Sequence, residues 1–290
     1  MWTVIFLLVL LIASYGAQCL LVKPSQRFLV LNCEDIPWEP ISFFDMYKMN
    51  LALELGSLQN MGLQSESWTC CNVVLGEKIP DDVLEYDGII LTGSHYNCRP
   101  RDVYFEWYEG LMRLIRTIDE KGKPNLFGGC FGHNLIALAL GGKIGFNPDK
   151  KYILQVENLK INNKFKELFS SENLGNSGNL LEYSVISTHE DSVLELPESA
   201  TLLGSSENCK NHLFLAGKNN NILALQSHPE FNLQYAVMDR IWLGIVERRK
   251  LLSKDEISFS LKSFEGYDDA DAKKLCGVIS FFLHNGCCQA

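Results

Sequence analysis

Short apolar runs alternate along the chain with longer stretches of helical spacing. Residues 27–32 (RFLVLN) form an apolar run of strand length, and 43–59 carry apolar positions at helical intervals with few breakers, so the body opens strand then helix. An extended stretch follows over 67–75. Tyr86-Asp87-Gly88-Ile89-Ile90-Leu91-Thr92 then reads as a buried strand ending at Gly93-Ser94. The spacing predicts an amphipathic helix over 103–119, stopped by the Lys121-Gly122-Lys123-Pro124 break, and a strand over 125–127. A Gly-rich corner comes next, then an apolar helix over 131–140 that Gly141-Gly142 terminates.

The second half is richer in strands, over 152–156, 181–187, 200–205, 213–216 and 222–226, and closes with helical stretches over 232–248, 253–264 and 268–283. Residues 170–179, rich in Ser, Asn and Gly, read as a surface loop insertion. Strands alternating with helices at this spacing predict an α/β fold, a mostly parallel central sheet flanked by helices. No repeat, low-complexity tract or linker divides the chain, so 25–290 is expected to be a single domain.

Composition narrows the function. A chain of 290 residues that is 47% hydrophobic and 21% charged can bury a large core without metal or disulfide staples. The net charge of -9 comes without a basic stripe, which argues against nucleic acid and anionic lipid and toward a small-molecule partner. Trp2 to Ala13 is an unbroken apolar run followed by small residues, so 1–18 are expected to be a signal peptide and the protein to enter the secretory pathway. The run is too short for a transmembrane anchor, which takes roughly 20 apolar residues. The first basic residue is Lys23, so the usual positive n-region is missing and a cytoplasmic location is the alternative. In an oxidising lumen Cys33, Cys70, Cys71, Cys98, Cys209, Cys276, Cys287 and Cys288 could pair, but their spacing shows no repeated framework and no metal knuckle. Some read as buried thiols.

Gly128-Gly129-Cys130-Phe131-Gly132 has the form Gly-x-Cys-x-Gly between a predicted strand and a predicted helix. A nucleophile on such a turn is held in strained backbone geometry, and neighbours without side chains let the chain double back. The thiol then stands at a helix N-terminus, where backbone N–H groups stabilise a thiolate and a developing oxyanion. Gln226-Ser227-His228-Pro229-Glu230 follows an apolar strand, so His228 emerges at a strand end with Glu230 two positions on. A thiol nucleophile needs a base within reach, and the base needs a carboxylate to fix its tautomer; Cys130, His228 and Glu230 supply these parts in chain order.

Three segments now resemble the class I glutamine amidotransferases of the Cys-His-Glu type: Tyr86 through Ser94, Gly129-Cys130-Phe131-Gly132-His133-Asn134, and Gln226 through Phe231. Thr188-His189-Glu190-Asp191-Ser192-Val193-Leu194-Glu195-Leu196-Pro197 narrows the resemblance to stand-alone members that include the plant γ-glutamyl peptidases. It implies a flavodoxin-like three-layer fold with Cys130 as nucleophile, His228 as general base and Glu230 as its orienting partner. It also implies an oxyanion hole from the Phe131 N–H and an N–H of the Gly93-Ser94 turn, with Asn134, His189 and Asp191 near the pocket. Asn134 departs from the family's usual Gln and is one methylene shorter, which bears on substrate positioning.

The resemblance implies a thiol hydrolase of γ-glutamyl amides, such as glutathione or its conjugates, with no cofactor and no metal. There is no phosphate loop and no length for an ATP-dependent module, so no synthetase partner is expected. A folate poly-γ-glutamate hydrolase and a non-catalytic binding protein that keeps the fold are the alternatives.

Overall fold

The computed structural model describes residues 26–36, 42, 45, 46, 48, 66–99, 106–169, 174, 181–231, 233, 237, 238 and 241–287. The signal peptide expected over 1–18, nearly all of the helix expected over 43–59 and most of the insertion at 170–179 lie outside the described residues.

A nine-stranded sheet forms the centre. Its parallel part is built from β1 (Gln26–Asn32), β2 (Glu66–Asn72), β3 (Gly88–Leu91), β4 (Asn125–Gly129) and β11 (Ile222–Leu225). They lie in the order β2-β1-β3-β4-β11, every pairing parallel. β1, β3, β4 and β11 are short apolar strands flanked by covered faces, the pattern a parallel sheet requires. The sheet then turns antiparallel through β10 (Leu213–Ala216), β9 (Thr201–Ser205), β6 (Ile153–Ile161) and β7 (Glu182–His189). Mostly parallel therefore describes the part that carries Cys130 and His228. Here β9, β10 and β11 follow one another through short connections, as antiparallel neighbours can, whereas β6 and β7 are joined through α3 (Asn163–Phe169). The sequence pattern missed a second, two-stranded sheet of β5 (Lys143–Phe146) and β8 (Asp191–Glu195).

The expected helix at 103–119 is α1 (Glu106–Lys121), which buries Tyr108, Leu111, Met112, Ile115 and Ile118 along one stripe. Gly122, at φ 67°, closes it with an N–H bond to Ile118 O at 2.9 Å. α2 (Phe131–Ala139, FGHNLIALA) is buried on nearly every side, as its largely apolar sequence requires. α3 (Asn163–Phe169) is short and carries Phe165, Leu168 and Phe169 into the core. α4 (Lys254–Phe264) begins with a capping box between Ser253 and Glu256, and α5 (Ala270–Asn285) packs on β7, β4 and β3. In the stretch expected to be helical over 232–248, the described end, Leu243–Arg248, is a wide π-type turn. No described helix is long and apolar enough to cross a membrane.

Two apolar cores sit on opposite faces of the sheet. One gathers Phe28, Phe127, Tyr183 and Phe282. The other gathers Leu29, Ile115, Leu135 and Ile136 beneath α1 and α2. The eight cysteines among the described residues are all free thiols, so the pairing considered for Cys33, Cys70, Cys71, Cys98, Cys209, Cys276 and Cys287 is absent there; Cys288 lies outside the described residues.

Candidate active site

β4 and β11 run side by side, and both lead straight from the sheet into the chemistry. Cys130 is the first residue beyond β4 and sits at φ 49° and ψ -98°, a region that side-chain-bearing residues rarely adopt. Its N–H bonds to Leu225 O at 2.9 Å, which ties the corner to the end of β11. The glycines on either side are there for close approach. A Cβ on Gly132 would stand 2.5 Å from the Leu91 carbonyl oxygen, and one on Gly128 would stand 2.4 Å from Ile136 Cδ1 and 2.8 Å from the Gly132 backbone. α2 thus begins hard against the end of β3, which a larger residue would forbid.

The thiol is 7% exposed. Its Sγ donates toward Thr188 O at 3.7 Å and accepts from Gln226 Nε2 at 3.7 Å. His228 leaves β11 two residues beyond Gln226, and its backbone N–H bonds to Ile186 O at 2.8 Å, so β7 holds it. The ring lies flat on Phe231, with centroids 4.1 Å apart and planes 6° apart. His228 Nδ1 is 2.8 Å from Glu230 Oε1, and both side chains are almost fully buried. Burial opposes the imidazolium, but the charges of Glu230 and Cys130 and their hydrogen bonding outweigh it and push the His228 pKa up to about 10. Nδ1 donates to the carboxylate, so Nε2 is the atom free to exchange a proton with the thiol. Nε2 is buried and makes no hydrogen bond to the protein.

The other residues expected at the site are placed as follows. Gly93 and Ser94 form the turn after β3: Thr92 Oγ1 donates to Gly93 O at 2.9 Å, and Ser94 Oγ accepts from Tyr96 N at 3.1 Å. This turn follows Leu91, the residue against which Gly132 packs, so it lies beside the start of α2. Phe131 is buried, its ring 5.8 Å from that of Trp107. Asn134 is buried and 3.1 Å from His133 Nδ1. His133 Nε2 lies 2.9 Å from Asn211 O, and Nδ1 faces Asn134 Oδ1, so both ring nitrogens meet acceptor oxygens. Burial keeps that ring neutral by pushing its pKa down to about 4, so it has a single N–H for the two. The Asn134 side chain thus lies against the His133 ring.

His189 is held by its own polar partners. Its Nδ1 donates to Asn147 Oδ1 at 3.1 Å and Asp191 O at 3.0 Å, and Nε2 faces Glu157 Oε2 at 4.0 Å. Asp191 pairs with Arg99 at 2.9 Å. Sequence reasoning missed Glu157, whose Oε1 accepts from Ser206 Oγ and Asn208 Nδ2. His212 Nδ1 lies 2.8 Å from that Ser206 Oγ. The Glu157 signal in the sequence is weak, a carboxylate among the mixed polar and apolar residues of β6 (ILQVENLKI). Burial pushes His189 down to about 4 and His212 to about 3, so these imidazoles are neutral. Glu34, Asp35 and His95 are the one group among the described residues whose donor atoms gather closely enough for a metal ion. The Glu34 carboxylate there is already filled by N–H donors, and nothing in the group requires a metal.

Residues 41–239 match the model of the family described as "Glutamine amidotransferase class-I". Among curated proteins, the chain is 32% identical over 192 residues to "Gamma-glutamyl peptidase 3" of Arabidopsis thaliana, covering 63% of this chain and 72% of that one. It is 34% identical over 188 residues to "Gamma-glutamyl peptidase 4" of the same plant, covering 63% and 70%. Among solved structures, a glutamine amidotransferase from Thermotoga maritima superposes with a TM-score of 0.63 at 20% identity, covering 90% of this chain and 99% of that one, which shows a shared fold. With a family model matched over more than half of the chain and a fold shared with a solved member, one assignment follows: the chain belongs to the class I glutamine amidotransferases.

Proposed function

We propose that this protein is a cysteine-dependent hydrolase of γ-glutamyl amide bonds. The observation that carries the reading is the buried 2.8 Å pair of His228 and Glu230 beside a thiol on a strained turn, in a chain similar to γ-glutamyl peptidases. His228 Nε2 takes the Cys130 proton as the sulfur attacks the γ-carbonyl carbon, and the carbonyl π-electrons move onto oxygen. The Phe131 N–H and an N–H of the Gly93-Ser94 turn receive that oxyanion. When the C–N bond breaks, His228 Nε2 delivers its proton to the departing amine and leaves a γ-glutamyl thioester. Water, deprotonated by the now neutral His228, adds to the thioester, and the thiol leaves with a free γ-carboxylate as product. Glu230 accepts from the Nδ1–H throughout and steadies the imidazolium.

Parallel incubation with glutathione, glutamine and a folate poly-γ-glutamate, read by mass spectrometry, tests the substrate class. Release of cysteinylglycine from glutathione, lost in Cys130→Ala, is expected. Full turnover by Cys130→Ala overturns the nucleophile, and turnover of the folate alone moves the substrate to the folate class. The apolar start of the chain supports a further part of the reading, in which 1–18 are removed on entry to the secretory pathway. A mature protein whose N-terminal sequence begins at Met1 overturns that part.

A further inference from the structure

The end of β1 carries a buried carboxylate that the chemistry of Cys130, His228 and Glu230 does not use. The Glu34 side chain is 5% exposed, and a carboxylate so placed needs its lone pairs filled. Oε1 accepts from the backbone N–H of Asp35 at 2.9 Å and of Ile36 at 3.0 Å, and from His95 Nδ1 at 2.6 Å. Oε2 accepts from the backbone N–H of His95 at 3.0 Å. Two of these bonds stay within Glu34's own loop. The other two cross to the segment after β3 and hold one residue by ring and backbone together.

His95 immediately follows Gly93-Ser94. On the other side of that turn, Thr92 Oγ1 accepts from Cys33 N–H at 2.9 Å and donates to Gly93 O. The turn is therefore pinned at both ends to the close of β1, by Thr92 to Cys33 and by His95 to Glu34. Tyr96, next along, lies 5.8 Å from the Trp107 ring, which lies 5.8 Å from that of Phe131. The Gly-Ser turn and the first residue of α2 are thus joined through one aromatic row.

We propose that Glu34 is a positioning residue for acyl transfer: its double grip on His95 keeps the Gly93-Ser94 turn set against the start of α2, so that both backbone donors meet one oxyanion. The proposal rests on the γ-glutamyl hydrolase reading for the reaction that it serves. Its physical basis is that oxyanion donors stabilise a transition state only when they are already in place, since reorganising them during the reaction forfeits the gain. A Gly-Ser turn left to itself samples many backbone states. Only an ionised carboxylate can accept from all four donors at once, because an amide in its place turns an NH2 toward N–H groups.

Glu34→Gln is the test. The variant is expected to lower kcat on glutathione by about 10- to 100-fold with KM within about twofold, because the lost contact matters in the transition state. Alkylation of Cys130 by iodoacetamide forms no oxyanion and is expected to keep the wild-type rate. Binding of glutarate semialdehyde gives a readout that needs no turnover. The Cys130 thiol adds across the aldehyde, sulfur bonding to carbon and the proton passing to oxygen, which puts a hemithioacetal oxygen where the oxyanion forms. Its affinity is expected to fall about tenfold in Glu34→Gln. Unchanged kcat and unchanged aldehyde affinity overturn the proposal. So does a parallel fall of kcat and alkylation rate, which marks damage to the thiol pair. If the wild type binds the aldehyde in a Glu34-dependent way but hydrolyses no γ-glutamyl amide, the hydrolase reading fails while the positioning role stands.

Discussion

His228 Nδ1 and Glu230 Oε1 lie 2.8 Å apart in a pocket that admits almost no water, and that pairing holds the imidazole proton far more tightly than solvent would. Glu230→Gln keeps the shape and removes the charge. The His228 pKa is then expected to drop from about 10, and kcat/KM to fall by about 10²- to 10⁴-fold. Steady-state kinetics over pH 6 to 10, together with NMR titration of the ring, check both.

Stability is expected to decline on either side of about pH 6.5. The folded-state pKa of His228 lies above its unfolded value, so its contribution is complete below roughly pH 6.5 and is lost as pH rises toward about 10. His133, His189 and His212 work in the opposite sense. Their folded pKa values are pushed down by burial, to about 4, 4 and 3, so the unfolded chain binds protons first and stability falls as pH drops below roughly 6.5. Each ring contributes a slope of up to about 1.4 kcal/mol per pH unit in that acid window. Urea unfolding from pH 4 to 10 measures the profile, and a His212→Gln variant is expected to flatten its acid side.

The strain at Cys130 is expected to be separable from its chemistry. Cys130→Gly and Cys130→Ala both lack the thiol, but only glycine takes φ 49° without penalty. Cys130→Gly is expected to be more stable than Cys130→Ala by about 1 kcal/mol, with neither hydrolysing substrate. Equal urea midpoints would show that the corner carries no strain.

Two glycines are expected to respond oppositely to alanine. Gly132→Ala drives a methyl group into the Leu91 carbonyl and is expected to destabilise the fold by about 1–3 kcal/mol and to abolish turnover. Gly110 lies within α1 with nothing near its missing Cβ, so Gly110→Ala is expected to stabilise by about 0.5–1 kcal/mol and to leave kinetics unchanged. Thermal melts and activity on the same samples separate the two.

The chain pattern alone carried β1 to β4, α1, α2, β6, β7, β9 to β11, α4 and α5 in their order, the Gly-Gly-Cys-Phe-Gly corner, and the candidate set Cys130, His228 and Glu230, but not β5, α3 or β8. These were legible because each is written in neighbouring residues: an apolar run reports a covered strand, a glycine pair reports a tight corner, and His-Pro-Glu places base and carboxylate two positions apart. The tertiary structure alone decided which sheet edges meet. That placed Thr188 O and Gln226 against the thiol, turned half of the sheet antiparallel, paired β5 with β8, and set Asn134 on His133. It also brought Glu34 to His95 across 61 positions and Glu157 toward His189. No local pattern encodes such contacts. A carboxylate in or beside a strand looks the same in sequence whether it faces water or a buried donor, and its partner is chosen only when sheet order and register bring distant residues within hydrogen-bond reach.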